Sequence, residues 1–350
     1  MNFVHQAYPQ RVVFAAGARA RAGEELDRLG VSRAMIITTP PQADTAAEFA
    51  RLVGHRASLV YPGAQTGTPT NVTEGALTAV SSVKADGILV VGGGSAIGLS
   101  KAIALRTDLP QLVIPTTFAG SEMTPIVREV ERGVKKTRRN PKVLPETVIY
   151  DPEFVAQLPR QVAGPSAMNA MAHGIDALCA GRANPLSSLL AEESIRALGR
   201  ALPRLLADPD DAAWAEALYG AWLAGICLGT ADMGIHHKIC HTVGGAFDLS
   251  HADLHCIMLP YTASFNRSRA PEAMRRVAHA LGRDDAPSAL YALMLKAESE
   301  PSLKALGLTR AALEKAADLA VENPCGTPAG GAARDEIFQI LLAAHDGKPP

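Results

Sequence analysis

The sequence predicts an α/β amino-terminal domain built on a parallel sheet, followed by an all-helical carboxy-terminal domain. Three observations lead there. The first 150 residues alternate short apolar, β-branched runs with helix-length segments, a glycine run joins one strand to the next helix, and from Asp151 onward only helical patterns occur. At 350 residues the chain exceeds what one core usually holds. The expected domains are 1–151 and 152–350, with the active site in the cleft between them.

The first half reads RVVFAAG (strand), ARAGEELDRLG (helix), RAMIITT (strand), TAAEFARLVG (helix), ASLVYPG (strand) and VTEGALTAVSSVKA (helix). Such alternation predicts strands covered by helices, with ligands at the strands' carboxyl ends. The strand DGILVV then runs into GGGSAIGLSKAIAL, so Gly92, Gly93, Gly94 and Ser95 form a tight turn whose amides lie at a helix N-terminus. Glycine lets the backbone approach a phosphate closely, and free amides with the helix dipole favour negative charge. A pyrophosphate site, and with it a Rossmann-like domain, is expected. The order is not GxGxxG, since the next glycine is Gly98. The strand QLVIPTT brings Thr116 and Thr117 to the same edge, followed by Ser121. REVERGVKKTRRNPK reads as a solvent-exposed hairpin, and ETVIYDP as the strand that closes the domain.

The second half reads as helices: PSAMNAMAHGIDALCAG, SSLLAEESIRALGRALPRLLA, AAWAEALYGAWLAGICLGTADMG, a histidine-rich stretch and APEAMRRVAHALG. His236 to His255 holds five of the ten histidines. His237 and His241 stand at i and i+4, Gly244 and Gly245 are expected to end their helix, and His251 and His255 open a second such pair. Asn169 and His173 are also four apart. Facing one another, Asn169, His173, His237 and His251 would form a convergent polar set, suited to holding a metal or to acid–base work.

Composition narrows the function. Hydrophobic residues make up 47%, charged residues 20%, and the net charge is -1, which gives no electrostatic reason to bind nucleic acid or an anionic membrane. Five cysteines without CxxC spacing argue against a disulfide framework or a thiolate zinc site. MNFVHQAYPQR lacks signal-peptide character, and no long apolar run occurs, so a cytoplasmic enzyme acting on a small molecule is expected.

The motifs GGGSAIGLSKAIAL, PTTFAGSEMTP, VIYDP, AMNAMAHGIDAL and HHKICHTVGGAFDLSHADLH followed by MLP stand in the order and spacing of one family. The chain resembles the iron-containing (group III) alcohol dehydrogenase superfamily over nearly its whole length, and within it the maleylacetate reductase branch. The resemblance implies the dehydroquinate synthase-like fold. It also implies that Gly92, Gly93, Gly94, Ser95, Thr116, Thr117 and Ser121 hold a nicotinamide dinucleotide, with Lys142 added. The metal-dependent members use an aspartate and three histidines, which match Asn169, His173, His237 and His251, with His241 at a further active-site position.

Asn169 in place of that aspartate leaves no anionic ligand, so a divalent ion would keep its charge among neutral donors. No metal is expected, in agreement with what the branch implies. An aldehyde needs a Lewis acid before hydride adds, whereas a conjugated enone can use hydrogen-bond donors where enolate charge develops. The expected reaction is NAD(P)H-dependent reduction of the C=C bond of maleylacetate to 3-oxoadipate, with reductive dechlorination of chloromaleylacetates as a second activity, in aromatic degradation. His173, His237, His241, His251 and Lys238 are the candidate donors, with His237 or His241 favoured for the proton and Lys238 for a substrate carboxylate. The other reading is a metal-dependent alcohol or polyol dehydrogenase of the same fold. After the second strand, Thr38 and Thr39 stand where an acid would select NAD, so NADH is expected with NADPH also accepted. The resemblance implies a homodimer, with RVVFAAG a candidate edge strand. Near the C-terminus, ENPCGTPAGG departs from the family, Cys325 standing where a tyrosine is expected.

Overall fold

The computed structural model describes residues 3, 5–180, 183–322 and 331–350. Cys325 and nearly all of ENPCGTPAGG lie outside the described residues. The chain divides into two compact units, Ala7–Leu158 and a unit containing Pro159–Pro350.

In the first unit the elements follow as β1 (Arg11–Phe14), α1 (Ala22–Arg28), β2 (Ala34–Ile37), α2 (Ala43–Val53), β3 (Ala57–Tyr61), α3 (Thr70–Ser82), β4 (Gly87–Gly92), α4 (Gly94–Thr107), β5 (Gln111–Pro115), β6 (Ile126–Glu131), β7 (Val134–Arg139), β8 (Thr147–Tyr150) and a short α5 (Pro152–Val155). Six strands form one sheet in the order β1-β8-β5-β4-β2-β3, every neighbouring pair parallel. The inner strands AMII, GILVVG, QLVIP and TVIY are buried at every position, as strands covered on both faces must be, and their apolar runs show it. The outer strands β1 and β3 are mostly half-buried. β6 and β7 pair as a separate antiparallel hairpin. Its second strand is exposed throughout, consistent with KKTRR.

The expected boundary at 151/152 moves to 158/159. Asp151 accepts the amides of Gly17 and Arg19 and the Arg19 guanidinium, while Phe154 packs in the sheet's core, so α5 is tied to the first unit.

The second unit holds α6 (Arg160–Cys179), α7 (Pro185–Ala207), α8 (Asp211–Thr230), α9 (Ile235–Ala246), α10 (His251–Arg269), α11 (Pro271–Ala280), α12 (Ala286–Lys296), α13 (Arg310–Glu322) and α14 (Arg334–Asp346). α6 is buried from Ala163 to Leu178 and packs on α7, α8 and α10, which suits its small residues. A Cβ at Gly164 would lie 2.1 Å from the Ala297 carbonyl oxygen, so α6 approaches a neighbour more closely than any side chain allows. α9, α10, α13 and α14 share a second core around Ile239, Leu254, Ile257, Leu313 and Leu341. Contrary to expectation, α9 runs through Gly244 and Gly245 to Ala246. Gly244 serves packing instead, since a Cβ there would meet Leu254 of α10 at 3.0 Å. Among the described residues no single helix is long and apolar enough to cross a membrane.

Candidate active site

In the first unit, β4 lies between β2 and β5, so the segments after all three leave one carboxyl edge of the sheet. Gly92 ends β4, Gly93 is the N-cap of α4 and Gly94 its first residue. No side chain caps α4, which leaves its first amides, Ser95 included, open to an anion. A Cβ at Gly93 would stand 2.8 Å from Thr117 Oγ1, whereas one at Gly94 would meet nothing nearer than Ala119 at 3.9 Å. Thr116 Oγ1 accepts from Gln42 Nε2 at 3.1 Å, and Thr39 Oγ1 lies 3.3 Å from Gln42 Oε1. Gln42 thus bridges two of these turns, a role nothing in PPQAD announces.

Ser121 is held from below. Lys101, fully buried on α4, donates to the Ser121 carbonyl, to the Thr124 carbonyl at 2.7 Å, to Thr124 Oγ1 at 2.9 Å and to the Ile126 carbonyl at 3.0 Å. Burial pushes its ammonium down to about 7, with Glu122 pulling the other way. Two expected cofactor residues are placed otherwise. Thr38 is fully buried and its hydroxyl donates to the Val91 carbonyl at 2.7 Å, so it joins β2 to β4. Lys142 pairs with Asp108 at 2.9 Å, and Asp108 caps the far end of α4. A helix of this length puts Lys142 about 20 Å from the glycine turn.

In the second unit the histidines do converge. His173 of α6 stacks on His237 of α9 with ring centroids 4.9 Å apart. His237 lies 5.6 Å from His241, and His251 lies 5.8 Å from His241 and 4.3 Å from His255. Asn169 sits one turn before His173, buried, with Oδ1 lacking a hydrogen-bond partner. Lys238, next after His237, is half-buried.

Three further groups complete the cluster. Asp176 stands one turn beyond His173, fully buried. Its Oδ2 accepts the amides of Gly234 at 2.9 Å and His237 at 3.2 Å, and His237 Nδ1 at 2.7 Å. With two amides already donating to that oxygen, His237 Nδ1 carries the proton, which leaves Nε2 as the working nitrogen. Burial raises the Asp176 carboxyl above its usual range. A Cβ at Gly234 would stand 2.7 Å from Asp176 Oδ1, so only glycine fits.

The other two are His236 and His255, linked to Thr262. The Thr262 hydroxyl lies 3.1 Å from the carbonyls of Met258 and Leu259, which can only accept, so its single proton goes there. His236 Nδ1, 2.9 Å from that hydroxyl, must therefore donate. Burial pushes His236 down to about 3, so it is neutral and its Nε2 is a bare acceptor. His255 Nδ1, 2.9 Å away, then carries the proton. That fixes His255 Nε2 as a lone pair, and this atom is buried without a hydrogen-bond partner. Burial also holds His173 and His255 well below the ordinary imidazole value.

Comparison with known proteins decides the family. Residues 9–152 match the family described as iron-containing alcohol dehydrogenase, and residues 164–345 the C-terminal domain of the Fe-containing alcohol dehydrogenase family. The chain belongs to the iron-containing alcohol dehydrogenase family. Within it, the chain is 45% identical to a maleylacetate reductase of Sphingobium indicum, covering 100% of this chain and 99% of that one. It is 47% identical to one of Burkholderia cepacia, covering 99% of each. The crystal structure of maleylacetate reductase from Agrobacterium tumefaciens superposes with a TM-score of 0.96 at 43% identity over all of both chains. A 1,3-propanediol oxidoreductase, 21% identical with a TM-score of 0.91 over 98% of this chain and 100% of that one, shares the fold.

Membership raises the question of the family's ion. The four ligand positions hold an amide and three imidazoles, and Asn169, His173 and His237 are only 4%, 3% and 2% exposed. A dication there would be dry and faced by no anion. Nor is the family's set one of the histidine triads with ligand nitrogens within 4.8 Å of one another. Those are His236, His237 and His255, and His241, His251 and His255. The residues at the family's positions do not fit a resident ion. The α4 turn, uncapped and open at Gly94, does fit a dinucleotide's pyrophosphate.

Proposed function

We propose that this chain reduces the C=C bond of maleylacetate to give 3-oxoadipate, using NADH first and NADPH as well, without a metal. The observation that carries this reading is Asn169 in a dry imidazole cluster, joined to full-length identity of 45% with a maleylacetate reductase. The glycine turn with Thr116, Thr117 and Ser121 would hold the dinucleotide, whose nicotinamide supplies hydride to the carbon β to the ketone.

The chain's own groups handle the charge and the proton. Negative charge develops on the ketone oxygen, and N–H donors aimed at it lower the barrier. His237 is the best placed, because Asp176 fixes its tautomer and stabilises positive charge on its ring. His241, half-buried beside it, can exchange protons with water and supply the one that goes to the carbon next to the ketone. Neutral His173 packs against His237 and orients it. Lys238 is the candidate for a substrate carboxylate. Chloromaleylacetates, with chlorine on the carbon that takes hydride, would lose chloride after the same addition. A second copy of the chain would pair along the free edge of β1, making a homodimer in the cytoplasm.

The test is NADH oxidation with freshly prepared maleylacetate, with and without a strong chelator, beside simple alcohols with NAD. Fast turnover that ignores the chelator is expected. Turnover of alcohols alone, abolished by the chelator, would overturn the reading.

A further inference from the structure

We propose that His241, His251 and His255 form a site for a borderline transition-metal dication such as zinc, separate from the family's ligand positions and inhibitory. Their ligand nitrogens all lie within 4.8 Å of one another. Tetrahedral zinc, with nitrogens at 2.0–2.1 Å, needs them about 3.3 Å apart, so the site must contract by an ångström or so. Two of the three rings can move. His251 is exposed at the first position of α10, and His241 is half-buried on α9.

The third is already set. The Thr262–His236–His255 chain keeps the proton on His255 Nδ1 and turns Nε2 into a buried lone pair that nothing donates to. A metal-bound imidazole has this arrangement, the outer nitrogen donating to an acceptor while the inner one ligates. A buried acceptor without a donor is costly, and a cation would satisfy it. The other close triad fails the same examination, because His236 Nε2 and His255 Nδ1 share one proton at 2.9 Å and cannot both ligate.

Solvent explains why this triad suits a dication where the family's positions do not. Asn169, His173 and His237 are dry, whereas exposed His251 leaves a fourth position to water, the pattern of an open three-histidine zinc site. The positive end of α10 opposes a cation beside His251, and Asp253 in the same turn offsets it. The inhibitory part rests on the proposed function. A bound ion would occupy His241 and His251 and remove a proton donor, while binding itself requires no turnover.

The experiment titrates the chelator-stripped protein with zinc chloride against a chromogenic zinc chelator, with cobalt(II) as an absorbing probe of four-coordinate geometry. One saturable ion per chain is expected. His255→Gln and His241→Gln should each weaken binding at least tenfold, Thr262→Val less so, and His173→Gln not at all. His241 is not fully buried, so its variant remains informative if His255→Gln fails to fold. Absence of saturable binding overturns the proposal. So does loss in His173→Gln with retention in His255→Gln and His241→Gln. Zinc should also stop NADH oxidation by the wild-type protein, reversibly with chelator. Saturable binding with undiminished turnover would overturn the inhibitory part.

Discussion

At Asn169 a single atom type decides between two chemistries. Restoring a carboxylate there would place one anion among His173, His237 and His251, so Asn169→Asp is expected to raise affinity for ferrous or zinc ion at those positions by orders of magnitude. Equilibrium dialysis checks it, and unchanged affinity would count against the amide as the reason the ion does not fit. Asp176 acts through His237. Asp176→Asn keeps the shape but lets the wrong nitrogen carry the proton, and should lower kcat about 100-fold or more while leaving the KM for NADH in place. Gly234→Ala, at an ordinary backbone conformation, should reproduce that loss by pushing the carboxylate aside, and Asp176→Glu should not rescue it. Stopped-flow NADH oxidation separates these outcomes. Asn169, His173, His237 and His241 were legible because i, i+4 spacing on apolar helices exposes a polar pair. Asp176 and Thr262 were not, since an aspartate or threonine in a helix is ordinary until the fold shows what it touches.

The glycine turn shows how an element makes a site. With Gly93 the only residue between β4 and α4, the strand's direction becomes the helix's axis without a loop, and the first amides of α4 point where a phosphate would sit. Gly93→Val forces a side chain against Thr117 and should raise the KM for NADH about tenfold or more, with a smaller effect on kcat. Steady-state kinetics at saturating maleylacetate would show it, and an unchanged KM would mean that the dinucleotide lies elsewhere. The strand–turn–helix junction was readable because glycines after an apolar run have few other uses. Gly244 and Gly245 were misread by the same logic. Glycine also marks close packing, and only the position of Leu254 reveals which use applies. Lys142 went astray because a basic residue's number says nothing about which end of α4 it reaches.

At the scale of the whole molecule the two classes of pattern, period two with β-branched residues and period 3.6, were enough to divide the chain. The seven-residue error in the boundary came from α5, whose place depends on Asp151 holding Gly17 and Arg19. Acid stability follows from another long-range tie. Glu25 is fully buried and accepts from Arg11 at 2.8 and 3.0 Å, and that guanidinium lowers its carboxyl below the ordinary 4.5. A lowered folded value means that the unfolded state binds protons first. This contribution is complete above pH 4.5 and disappears as pH falls through the folded value. Glu25→Gln should therefore lower stability near neutrality and flatten its decline in acid, as followed by chemical denaturation across pH. A parallel shift at every pH would show that the pair carries no proton linkage.

The order of the sheet also governs how the protein is made. β1 is the first strand to leave the ribosome, yet its partner is β8, the last strand of the sheet, with Val12 set against Val148. During synthesis β1 must wait while four other sheet strands, with their helices, emerge and find one another. Until β8 arrives, RVVF has no place in the sheet to occupy. Closure of the first unit is thus a late event in translation, completed when the nascent chain has passed Tyr150 and before most of the helical unit exists. A stalled or slowly read message short of that point would leave a sheet without its outermost strand, the species in which chaperone binding to the nascent chain should be strongest.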